Sequence, residues 1–78
     1  MHIKELILYI VQAIVDNPDE VSVSVIEGTQ TEVLEVKVAK SDLGKVIGKK
    51  GRNVQAIRTI LSAVSAKIKK RVVLELIE

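Results

Sequence analysis

Four consecutive residues, Gly48-Lys49-Lys50-Gly51, have the types and spacing to grip a phosphate. A glycine lets backbone approach a phosphate oxygen closely, because no Cβ stands in the way. Lysines at the two middle positions place two compact positive charges at one point. An amphipathic pattern follows at once, so the turn opens a helix. The first N–H groups of a helix are unpaired and carry a partial positive charge. Lys45, Arg52 and Arg58 flank the turn and widen its electrostatic footprint.

Other chemistries find little support. The chain has no cysteine, and its one histidine, His2, lies near the terminus, so neither a thiolate nor a His/Cys metal site is available. No carboxylate pair falls near the basic turn, so no nucleophile with a base is evident and no enzymatic role or cofactor is expected. Two phosphate motifs fail on spacing. A P-loop counted from Gly44 would need glycine where Lys49 stands, and a G-x-G-x-x-G fingerprint would need glycine where Val46 stands. There is no Trp or Phe, and the single Tyr is Tyr9. Modules that stack bases on aromatic rings are therefore disfavoured.

The charge is unevenly spread. Net charge is only +2, yet residues 40–71 hold ten Lys or Arg against the single acid Asp42, while residues 1–39 hold two lysines against seven acids. A basic half containing the glycine turn points to an anionic partner. Lys67, Lys69, Lys70 and Arg71 read as a solvated helix end that suits the helix dipole, not as a second contact. No apolar run approaches the ~20 residues of a membrane span. No signal peptide is evident, and a reducing, cytoplasmic setting is expected.

The positioning elements follow from periodicity. Ile3, Leu6, Ile7, Ile10, Val11 and Ile14 recur at three- and four-residue steps, predicting a helix that stops at Asp16-Asn17-Pro18. Residues 21–25 alternate Val and Ser as a half-buried strand, and Glu27-Gly28-Thr29-Gln30 reads as a hairpin loop. Leu34, Val36 and Val38 mark a second strand. Ser41 is expected to cap a short helix, with Asp42 in its first turn and Gly48 at its C-terminal end. A long helix over about 52–69 should bury Val54, Ile57, Ile60, Leu61, Val64 and Ile68, and residues 72–77 form a third strand. The order α-β-β-α-α-β predicts one α+β domain: a three-stranded mixed sheet with three helices packed on one face. The other face is wetter, carrying Ser22, Ser24, Glu35 and Lys37.

The segment Gly44-Lys45-Val46-Ile47-Gly48-Lys49-Lys50-Gly51-Arg52-Asn53-Val54 resembles the signature of the KH domain, a single-stranded nucleic-acid binder with a GXXG clamp. The element order resembles the prokaryotic type II version. Residues 9–14, Val15-Asp16-Asn17-Pro18-Asp19-Glu20-Val21, Val33-Leu34-Glu35-Val36 and Ala56-Ile57-Arg58 are similar to the KhpA family of small bacterial stand-alone KH proteins. The likeness spans nearly the whole chain, which reads as a single KH domain over residues 1–78.

On that resemblance the chain is expected to bind single-stranded RNA broadly, as a chaperone or adaptor linked to cell elongation and division. The implied partners are a second copy of itself and a larger Jag-type (KhpB) protein with its own KH domain. RNA-binding residues would be Lys45, Val46, Ile47, Gly48, Lys49, Lys50, Gly51, Arg52, Val54 and Arg58. Amides of Lys50, Gly51 and Arg52 would meet phosphate oxygens. Val46, Ile47 and Val54, with Ile57, would line an aliphatic groove for about four nucleotides, or belong mostly to the core. Base edges would be read against the backbone of residues 72–74. A contrasting expectation makes the chain mainly a protein-interaction module, through its edge strands and through Val73 and Ile77.

Overall fold

The computed structural model describes residues 2–77 and has the element order α1 (Ile3–Ile14), β1 (Ser22–Glu27), β2 (Thr31–Lys37), α2 (Leu43–Ile47), α3 (Arg52–Ile68) and β3 (Arg71–Ile77). Short 3-10 turns at Pro18–Glu20, Lys40–Asp42 and Lys49–Gly51 join them. This is the expected α+β arrangement, consistent with a type II KH fold.

The first helix stops where proline forbids continuation: the Val15 N–H closes onto the Val11 carbonyl, and Pro18 opens the next turn. β1 and β2 form an antiparallel hairpin, closed by the Gly28 N–H donating to the Thr31 carbonyl at 2.8 Å. β3 returns parallel to β2, so the sheet runs β1-β2-β3 with β2 central. A parallel return cannot use a tight turn. Here α2 and α3 make the crossover, and that crossover contains the glycine turn.

Alternation along the strands decides the layers. Val23, Leu34, Val36 and Leu74 are buried on the helix-covered face, together with Ile7 and Val11 of α1, Val46 of α2, and Val54, Ile57 and Leu61 of α3. Ser22, Ser24 and Lys37 stand exposed on the open face, with Glu35 half-buried among them. The register places Ser24, Glu35 and Glu75 in one row across the three strands.

Two local expectations are corrected. Ser41 makes no cap; a 3-10 turn feeds α2, and neither start carries a side-chain cap bond. Asp42, expected in the first turn, closes that 3-10 turn at the N-terminal boundary of α2 and is buried, with 1% of its surface exposed. The stripe of α3 is also narrower than its periodicity suggested. Val54, Ile57 and Leu61 are buried, whereas Ile60 and Ile68 keep 40% and 41% exposure. A three-stranded sheet is too narrow to cover the whole apolar arc of a 17-residue helix, so its flank stays open.

Candidate nucleic-acid interface

The glycine turn sits at the junction of α2 and α3, and its backbone explains its composition. Gly48 has φ 78° and ψ 169°, Lys50 has φ 57° and Gly51 has φ 73°. Three positive φ values within four residues fold the chain sharply from one helix into the next. The region that Gly48 occupies is essentially closed to other residues. Space also excludes a side chain there: an ideal Cβ on Gly48 would lie 2.6 Å from Asn53 Cγ and 2.8 Å from the Asn53 backbone nitrogen. Around Gly51 nothing stands within 4 Å of the corresponding position.

Two of the amides expected to face a phosphate are already engaged. The Gly51 N–H donates to the Gly48 carbonyl at 3.0 Å, and the Arg52 N–H donates to the Lys49 carbonyl. The tight turn uses them to hold its own shape. What the loop offers outward is the exposed Lys49 and Lys50, with exposed Arg52 beside them. Among the described residues, Lys49, Lys50, Arg52 and Arg58 make no ion pair.

The other basic residues behave differently. Lys45, expected to widen the footprint, forms an ion pair with Asp16 across the α1–α2 junction. Its ammonium is held above the usual lysine range, first by the hydrogen bond to Asp16 and then by the charges of Asp16 and Asp42. Lys70 sits between Glu27 at 3.5 Å and Glu32 at 3.3 Å, which ties the helix end to the hairpin. Free positive charge therefore concentrates at the loop and along α3.

Beneath the loop, Val46 is fully buried, and Val54 and Ile57 keep only 7% and 2% exposure. These three support α2 and α3 chiefly from the core side. Ile47, 36% exposed, is the one aliphatic of that set that reaches the surface. An open cleft of about 280 Å³ does run beside α3, but its walls are Arg58, Leu61, Ser62 and Ser65 on the helix and residues 71–74 on β3.

The free edge of β3 faces this cleft. The Arg71 N–H points inward to the Gln30 carbonyl at 2.9 Å, so by alternation the N–H and C=O groups of Val72 and Leu74 point outward. Ser65 occupies one end: its hydroxyl accepts from the Val72 N–H at 3.0 Å and donates to the Lys70 carbonyl. Residues 72–74 thus form the β3 wall of this cleft. Ser62 and Ser65 were not singled out from the sequence, since serines on a helix carry no signal until the strand beside them is known; Arg71, expected in a solvated helix end, instead begins β3 and stands in the cleft wall.

Asp42 accepts three hydrogen bonds from the turn after α1. Its Oδ1 accepts from the Asp16 N–H at 3.2 Å, and its Oδ2 accepts from the Asn17 N–H and the Asn17 side chain, both at 3.0 Å. Burial pushes this carboxyl up. The Asn17 side chain, the two backbone amides and nearby Lys45 more than compensate, leaving it below the usual carboxylate value. Asp42 therefore locks the turn after α1 onto the start of α2.

A KhpA/KhpB KH-domain family model matches residues 4–76. The chain belongs to this family. Family relatives named RNA-binding protein KhpA include that of Caldanaerobacter subterraneus subsp. tengcongensis, 55% identical over 94% of this chain and 97% of the relative. The protein of the same name from Borreliella burgdorferi is 50% identical over 95% and 90%, and that from Aquifex aeolicus is 50% identical over 97% and 96%. No solved structure matches the chain. No helix among the described residues is long and apolar enough to cross a membrane.

Proposed function

We propose that this chain binds single-stranded RNA without catalysis, gripping the backbone at Gly48-Lys49-Lys50-Gly51 and seating bases in the α3–β3 cleft. One observation carries the reading: Lys49, Lys50, Arg52 and Arg58, which make no ion pair among the described residues, run from the loop along α3 toward a cleft whose far wall is the outer strand β3. Phosphate contacts would set affinity and register, while the strand edge offers N–H and C=O groups to base edges. Relatives at about half identity carry the name RNA-binding protein, which supports the same reading.

With no aromatic in the cleft, base stacking worth ~1–3 kcal/mol per base is missing. One domain then binds weakly and with broad specificity. Affinity would rise through a second KH unit, either another copy or a KhpB-type partner, because linked sites multiply. A cytoplasmic chaperone or adaptor role linked to cell elongation and division agrees with such weak, adaptable binding and rests on the family likeness.

The test is the folded double variant Lys49→Asp/Lys50→Asp against a labelled oligouridine across a salt series. With three or four cation–phosphate contacts, log K should fall with log salt at a slope of about −2 to −3 in the parent. The double variant should bind at least tenfold more weakly with a shallower slope. Unchanged affinity and slope would defeat the loop assignment.

A second reading, a protein-interaction module, draws on the exposed edge strand β1, where Val25 and Ile26 keep 37% and 55% exposure. Retained self-association in a double variant that has lost RNA would make the two roles separable.

A further inference from the structure

The structure assigns Asn53 as the residue that positions the glycine loop, an inference that rests on the RNA-binding reading above. Asn53 belongs to the first turn of α3, directly beyond the loop. Its Nδ2 donates at 2.8 Å to the carbonyl of Lys45, eight residues earlier in α2. That carbonyl is one of the last four of its helix, which have no partner within the helix. One side chain thus joins the end of one helix to the beginning of the next and spans the whole loop.

The same side chain fixes the loop from below. It fills the space that a Cβ on Gly48 would take, 2.6 Å from its Cγ. The bare Cα of Gly48 and the amide of Asn53 therefore fit together as a pair. The contact continues outward. Lys45, whose carbonyl Asn53 holds, anchors its ammonium on Asp16, and the Asp16 N–H is held by the buried carboxylate of Asp42. An unbroken polar chain thus runs from the core-anchored turn after α1, through α2, to the root of the loop.

The consequence is preorganisation. Lys49 and Lys50 are exposed, and their side chains are not fixed by partners in the described structure. Only the backbone can aim them. A loop free to pivot would spread its charges over many orientations and lose binding free energy on ordering. Asn53 removes that freedom without touching the phosphate itself, and Lys45 serves here as a strut between α1 and α2.

This role separates from that of a cationic contact in a salt titration, and from that of a neutral contact in amide exchange. Asn53→Ala removes a neutral group, so the number of released counterions stays the same. Losing one hydrogen bond's worth of preorganisation corresponds to about fivefold weaker binding to labelled oligouridine, with an unchanged slope of log K against log salt. Lys49→Ala/Lys50→Ala, by contrast, should make the slope shallower by about 1.4. Amide exchange at Gly51 and Arg52, whose N–H groups donate to the Gly48 and Lys49 carbonyls and close the turn, should quicken in Asn53→Ala when read by NMR without RNA.

Asn53→Asp keeps the packing over Gly48 but cannot donate to the Lys45 carbonyl, so it should quicken exchange as well; it serves if the alanine variant does not fold. Faster exchange with unaltered affinity would overturn the inference. So would unaltered exchange, which together with an affinity loss would make Asn53 a direct contact and not a positioning residue. If the lysine variants leave binding unchanged, the RNA reading itself fails, whatever Asn53 does.

Discussion

Gly48→Ala and Gly51→Ala change the same loop by one methyl group each, and the structure assigns them very different costs. At Gly48 two penalties add. The backbone at φ 78°, ψ 169° lies in a region worth about 1–3 kcal/mol of strain for any residue with a Cβ. The new methyl would sit 2.6 Å from Asn53 Cγ, 2.8 Å from Asn53 Cβ and 2.8 Å from the Asn53 backbone nitrogen. The side chain can swing aside but the backbone nitrogen cannot, so α3 or the loop must move, at about 1–3 kcal/mol for such overpacking. The sum is about 2–6 kcal/mol, against a total of about 4–12 kcal/mol expected for a domain of 78 residues.

At Gly51 the backbone is left-handed helical, φ 73° and ψ 15°, and the space is open. Its cost is about 1–2 kcal/mol, partly offset by the lower entropy of an unfolded chain with alanine. Urea unfolding followed by circular dichroism compares them directly. With m about 1 kcal/mol/M, Gly48→Ala should lower the midpoint by about 2 M or more, and Gly51→Ala by about 1 M or less, at constant m. Equal midpoints would refute the steric argument. Gly48→Ala combined with Asn53→Ala should recover only part of the loss, because the backbone nitrogen remains in place.

Two further outcomes follow from the polar contacts. Asp42 has its carboxyl held below the unfolded value of ~3.9, so its contribution is present above that pH and lost as pH falls through the lower folded value. Acid unfolding of Asp42→Asn should accordingly show a weaker pH dependence below about pH 4 than the parent does. Lys45 works in the opposite sense. Its raised value makes its contribution fully present below about pH 10.4 and lost as pH rises through the folded value, and Asp16→Asn should flatten the alkaline limb. Ser65→Ala removes both hydrogen bonds that close the cleft end, at about 1–2 kcal/mol, and should lower Tm by about 5–10 °C.

The element order, the hairpin and the glycine turn were legible in the sequence because each is a local matter. Three- and four-residue steps make α1, Pro18 stops it, and alternation makes β1 and β2. Gly48 takes a backbone conformation essentially closed to residues with a Cβ, so a glycine marks this turn. The uneven charge could be counted from composition, and the family resemblance rested on the same residues.

The partners of those residues could not be read that way. Lys45 and Asp16 are 29 residues apart, and Asp42 and Asn17 are 25 apart, so no local pattern marks either pair. Folding turned Lys45 from a free charge into a strut and buried Asp42 as a latch. It took Val46 and Val54 into the core, because helices on one face of a three-stranded sheet must give their innermost residues to it. It also made the cleft, by laying the free edge of β3 beside Arg58, Ser62 and Ser65. The sequence by itself determined where the chain turns and where positive charge accumulates, since backbone sterics and side-chain charge belong to single residues. Which charges stay free and which aliphatics stay exposed depend on what packs against them, and only the tertiary structure decided that.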